Sequence, residues 1–205
     1  MAGWIRRTFN ADGVTEYPVG ASFERLRSSF GGAVVLALDV SGSMVASDNI
    51  RKAVAGCHRF IAEARAGGYQ VGLILWHHDI DGAVPPSLDD APARRLLDRA
   101  VAGGGNLAEP FLTRAHADLM ALDVGDRVVA IFGDGDLGPR AVAEAKAAEL
   151  VADNIRILTC GLGDGSASEL AVISTESTSA GPRTAQPDSI ADSIASMARG
   201  LRLKG

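Results

Sequence analysis

The feature that most constrains this chain is its alternation of buried-strand and amphipathic-helix patterns. Residues 33–39, 69–77, 127–133 and 155–161 are apolar almost throughout, as strands covered on both faces are. Between the first two runs, Ile50, Val54, Cys57 and Ile61 recur at helical spacing to about Ala66, and Gly67-Gly68 ends that helix. After the second run, a hairpin through His78–Asp81 leads to an edge strand near Ala83-Val84, ended by Pro85-Pro86. Leu88 to Val101 reads as a helix, Gly103–Asn106 as a loop, and a further helix opens at about Ala108. Residues 139–152 read as helix, Thr175–Ala180 as a weaker strand, and Pro187 to about Gly200 as a last helix. Strands that alternate with helices call for a doubly wound α/β fold: a mostly parallel, Rossmann-like sheet, helices on both faces, one antiparallel edge. One domain over residues 33–205 is expected. Residues 1–32 are expected as an N-terminal extension packed on it through anchors such as Trp4, Phe9, Phe23 and Phe30.

The first strand carries the chemistry. Its apolar run stops at Asp39, and Ser41 and Ser43 follow at every second position. In an extended segment such side chains point the same way, so the three oxygens converge, and hard oxygens suit a hard cation. Ligands of a doubly wound sheet gather outside the carboxyl ends of its strands where the strand order reverses. Asp134, at the end of the third long run, faces the same crevice as Asp39 if their strands are neighbours.

The run Asp39-Val40-Ser41-Gly42-Ser43-Met44, the loop Gly103–Asn106 and the pair Asp134-Gly135 come in the order and spacing of three family loops. Together they resemble the metal-ion-dependent adhesion site of von Willebrand factor A domains. The resemblance covers nearly the whole chain and implies one divalent cation, Mg²⁺ or alternatively Mn²⁺ or Ca²⁺. Its ligand set would be Asp39, Ser41, Ser43, Asn106 and Asp134, with the aspartates often acting through water. It also implies a non-enzymatic protein–protein interaction module whose open coordination position takes an Asp or Glu of another protein. Intracellular bacterial members of this kind work beside stress-response, AAA-ATPase and tellurite-resistance machinery. The chain departs from the pattern at one point. The family's second loop supplies a threonine hydroxyl, and here Gly105 or Asn106 takes that place. The amide oxygen of Asn106 is a legitimate ligand, with Glu109 as its support.

Composition removes other classes. The 205 residues carry 20 basic and 25 acidic side chains, net −5, with no Lys/Arg run to serve nucleic acid. No apolar stretch reaches membrane-spanning length, and no apolar signal region follows the first charges, so a cytoplasmic, membrane-free monomer or weak oligomer is expected. Cys57 and Cys160 lack metal-ligand spacing, and reduced thiols fit that compartment.

The rival reading is a Mg²⁺-dependent phosphohydrolase with Asp39 as nucleophile and Asp134 and Asp136 on the metal. That chemistry wants an acid two residues after the nucleophile, where Ser41 stands, and a cationic phosphate clamp, which does not follow. His77-His78 on a strand would point to opposite faces and could not share one ion. Ser41 lacks a nucleophile elbow, and Gly161–Gly165 has no Walker lysine and reads as a tight strand-to-helix turn.

Overall fold

A computed structural model describes residues 31–176 and 182–201. The expected anchors of the N-terminal extension, Trp4 to Phe30, lie outside those residues. The first strand, β1, is Gly32–Asp39, followed by a 3-10 segment Gly42–Asp48 and helix α1, Asn49–Ala66. Strand β2 is Gln70–Trp76, β3 is Ile80–Ser87, and helix α2 is Ala91–Leu97. Helix α3 spans Ala108–Met120, β4 Asp126–Gly133, α4 Arg140–Ala152 and β5 Ile155–Leu162. Helix α5 is Gly163–Leu170, β6 is Thr184–Ala185 and α6 is Ile190–Met197.

The six strands run in the order β3-β2-β1-β4-β5-β6, all parallel except β3 against β2. This is the expected doubly wound architecture. On one face, Val34, Leu36 and Leu38 of β1 meet Cys57, Phe60 and Ile61 of α1, Leu97 of α2 and Ile194 of α6. On the other, Val35 and Ala37 meet Phe111 and Leu112 of α3, Leu150 of α4 and Leu170 of α5. Both sides of β1 are therefore core, which is why its sequence shows no polar alternation. The chain winds outward from β1 in one direction and from β4 in the other. The crevice between their carboxyl ends is the switch point where such sheets bind ligands.

Four local expectations need correction. Pro85 and Pro86 do not end the edge strand but lie within it. The β2–β3 register shifts between Val71 and Leu73, and a Cβ on Gly72 would come within 2.8 Å of Pro86 N, so the prolines occupy an irregular edge that asks them for no ladder donor. The helix expected over Leu88–Val101 shrinks to Ala91–Leu97. Pro92 fixes its start, and after Leu97 the chain turns upward until Gly103 N donates to Val40 O at 2.7 Å. Thr175 and Glu176 are not in a strand and 177–180 lie outside the described residues; the outer pairing falls instead to Thr184-Ala185. The last helix is regular only over Ile190–Met197 and tightens to 3-10 geometry at Ala198–Leu201.

Candidate metal centre

Asp39 is the last residue of the central strand, fully buried, with Trp76 of β2 as its register partner. On its other side stands Gly133, where a Cβ would lie 2.9 Å from both Cβ and Oδ2 of Asp39. Only a residue without a side chain leaves space there for the carboxylate. Both carboxylate oxygens are held by main chain: Oδ1 accepts from Ser41 N at 2.7 Å and Oδ2 from Asp134 N at 3.2 Å. Asp39 thus stitches the first loop to the third.

The two serines reach the cluster by a turn and not by extended chain. Ser41 is the last extended residue before the 3-10 segment that contains Ser43. Their hydroxyls nevertheless lie 2.9 Å apart, and Ser43 Oγ donates to Asp134 Oδ2. Ser41 is fully buried and Ser43 exposed, so the cluster opens outward at Ser43 and Asp134. Asp134 Oδ1 accepts from Asn106 Nδ2 at 3.1 Å and from Asp136 N at 3.3 Å. Asn106 Nδ2 also donates to Asp136 O at 3.1 Å, while Glu109 is engaged by Thr113 in its own helix. Asp39, Ser41, Ser43 and Asp134 are brought together, and Asn106 meets them through Asp134.

Main-chain hydrogen bonds bind the loops into one ring. Gly42 N donates to Gly104 O at 3.1 Å, and Gly103 N reaches Val40 O. Leu107 N donates to His77 O at 2.9 Å, and Ala108 N to Leu137 O at 3.1 Å. Gly104 has φ +84°, a conformation that favours glycine, and a Cβ there would lie 3.0 Å from His78 Nδ1, tight enough that the imidazole would have to shift. The imidazoles of His77 and His78 stack with centroids 4.3 Å apart instead of facing opposite ways, because the strand ends at Trp76 and the pair lies in the hairpin turn. Gly104 lies in the loop Gly103–Asn106 that the sequence marks, whereas the role of Gly133 and the two main-chain donors to Asp39 have no mark in the motif pattern. The small residue directly before Asp134 is the one signal that could have found Gly133.

The electrostatics of the cluster are one-sided. Burial, and then the neighbouring Asp134, push the Asp39 carboxyl up to about 7, against hydrogen bonds from Ser41 and Asp134 that pull it down. Neither Asp39 nor Asp134 forms an ion pair among the described residues. Arg140, which lines a cavity of about 370 Å³ beside Asp134 and Asp136, is paired with Glu144 at 2.7 Å. Two carboxylates and two hydroxyls are a hard donor set for a cation. The 2.9 Å between the serine oxygens is close to the roughly 3.0 Å between adjacent oxygens of an octahedral ion with bonds of about 2.1 Å. No group of three His, Cys, Asp or Glu among the described residues has metal-holding geometry, so a site here depends on the serine hydroxyls. The donor set fits Mg²⁺ or Mn²⁺.

No family model matches the chain. Solved structures do. The vWF domain of the type V pili tip protein Mfa5 from Porphyromonas gingivalis is similar with TM-score 0.75 and 13% identity, over 86% of this chain and 98% of that one. An aerotolerance-related membrane protein from Bacteroides fragilis gives TM-score 0.65 at 18% identity, over 83% and 98%. A von Willebrand factor type A protein from Catenulispora acidiphila gives 0.64 at 17%, over 84% of this chain and 43% of that one. No helix of the described residues is long and apolar enough to cross a membrane. At identities this low the likeness is one of fold, and it agrees with the strand order, the antiparallel edge and the helices on both faces: the chain has the von Willebrand factor A fold.

Proposed function

We propose that this protein is a metal-dependent protein-interaction module without catalytic turnover. Ser41, Ser43 and Asp134 hold one Mg²⁺ or Mn²⁺, and Asp39 supports the ion from its buried position. The ion supplies a Lewis-acidic coordination site, and an Asp or Glu of another protein fills it. The observation that carries this reading is the convergence of Asp39 and Asp134 with two hydroxyls and no ion-paired base among the described residues. A divalent cation supplies the charge that such a cluster lacks.

The phosphohydrolase alternative gains no support. A nucleophilic Asp39 would have to leave complete burial and give up both main-chain donors. The general acid's position is held by Ser41, whose hydroxyl is engaged with Ser43. A setting in a bacterial stress-response assembly, inside the cell, is part of the proposal.

The test is a Mn²⁺ titration of the full chain followed by electron paramagnetic resonance. One equivalent should bind to the wild type and be released by excess Mg²⁺, and Ser43→Ala should weaken binding without lowering the cooperativity of unfolding. Equal binding in wild type and Asp134→Ala would remove the ion from this cluster. Metal-dependent hydrolysis of a generic phosphate ester, lost in Asp39→Asn, would replace the module by the enzyme.

A further inference from the structure

Asn106 is one of the two residues, with Gly105, that can take the place where the resemblance puts a threonine ligand, and its side chain is oriented by the neighbouring loop. Nδ2 lies 3.1 Å from Asp134 Oδ1 and 3.1 Å from Asp136 O. A carboxylate and a carbonyl are both acceptors, so the end of the amide that bears hydrogens must face them; the flipped amide would set its oxygen against two others. The backbone fixes this arrangement. The residues after Asn106 are tied down through Leu107 N to His77 O and Ala108 N to Leu137 O. A Cβ on Gly138, at φ +71°, would lie 3.1 Å from Asn106 O, so the third loop rests directly on the second.

We propose that Asn106 is a positioning residue that occupies one oxygen of Asp134, makes no bond to the ion, and thereby selects a small octahedral cation over Ca²⁺. This rests on the metal reading above. Asp134 Oδ1 already takes Asn106 Nδ2 and Asp136 N, and only Oδ2 faces Ser43. A carboxylate held in this way binds through one oxygen. Mg²⁺ and Mn²⁺ accept such ligands in near-octahedral shells, whereas Ca²⁺ takes more oxygens at longer distance and gains from two-oxygen carboxylates. Without Asn106, Oδ1 keeps only the longer 3.3 Å bond from Asp136 N, so Asp134 can turn its second oxygen to the ion more readily, which favours the larger cation.

Two measurements on the full chain test the proposal. In ¹⁵N-labelled metal-free protein, the Asn106 side-chain amide resonance, identified by its loss in Asn106→Ala, should exchange slowly with water and shift in Asp134→Ala. In titrations, Asn106→Ala should lose about tenfold or more in Mn²⁺ affinity, as residues that orient ligands do, and clearly less in Ca²⁺ affinity. An equal loss for both ions would overturn the selectivity. Electron–nuclear double resonance of bound Mn²⁺ should show no strong coupling to ¹³C-labelled asparagine; a strong one would make Asn106 a ligand and overturn the positioning role. If neither ion binds the wild type, the metal reading and the selectivity both fail, and the metal-free resonance still decides whether Asn106 grips Asp134.

Discussion

The sheet has a carboxylate at each end, and the two are treated in opposite ways. At the amino end of β4, Asp126 receives Arg156 Nε at 2.9 Å in a two-pronged pair, and the Tyr69 hydroxyl lies against it. Arg156 also donates to Gly200 O at 2.9 Å, and Tyr69 to Leu201 O, so the same group clamps the 3-10 turn Ala198–Leu201. Burial and Asp126 hold the Tyr69 phenol well above its usual range, which keeps it a donor. At the carboxyl end, Asp39 is more deeply buried and, among the described residues, has a second carboxylate beside it and no ion-paired cation. One end spends its charge on holding the chain together. The other keeps negative charge unmatched, which costs stability and leaves an affinity for a cation.

Four expectations would break or sharpen that contrast. The largest concerns Asp39→Asn, which should weaken Mn²⁺ binding by up to about a hundredfold and, because its amide sets an N–H against one of the two main-chain donors, lower the stability of the metal-free protein by about 1–3 kcal/mol in urea unfolding. A loss of stability with Mn²⁺ affinity unchanged would show that Asp39 is a structural group like Asp126. Next, Asp126→Ala should lower stability by about 2–3 kcal/mol in urea unfolding, because Arg156 and Tyr69 lose a shared partner in a half-buried place. Mn²⁺ affinity should not change, and a parallel loss would mean that the two ends are coupled. Gly133→Ala should cost about 1–3 kcal/mol by overpacking, since its methyl group would press on Asp39, and it should also weaken Mn²⁺ binding.

The last expectation is the pH dependence of the metal-free protein. The Asp39 carboxyl rises from 3.8 to about 7 on folding, so between these values the folded state binds more protons than the unfolded one. Stability should therefore be highest below about pH 4 as far as this group is concerned, and fall as pH rises towards 7. Thermal melts in saturating Mg²⁺ should lose that slope, because the cation takes the proton's place. A slope unaffected by Mg²⁺ would separate the ion from Asp39.

Most of the framework was legible because burial on both faces leaves a plain mark. Val34 to Leu38 had to be apolar without alternation, and a carboxylate at the end of such a run is costly unless it has work to do. Asp134 could be read for the same reason. What could not be read were relations that depend on tertiary contact. Pro85-Pro86 looks like a stop until the facing Gly72 and the register shift are known, and Thr184-Ala185 is too short to show a period. The ends of the Asn106 amide are indistinguishable in sequence; only the positions of Asp134 and Asp136 O decide which one faces them. Ser41 and Ser43 were placed together by a pattern of alternate residues, whereas a 3-10 turn brings their hydroxyls within 2.9 Å.

The ring around the cluster is closed by peptide groups: Val40 with Gly103, Gly42 with Gly104, His77 with Leu107, Leu137 with Ala108. Bonds of this kind are indifferent to the identity of the side chains they carry. Outward residues such as Val45, 63% exposed, and Val101, 74% exposed, can be exchanged in descent without disturbing the cradle beneath them. A lineage could therefore change what this protein recognises many times over while inheriting the same socket, and the surface of the rim should diverge faster than its floor.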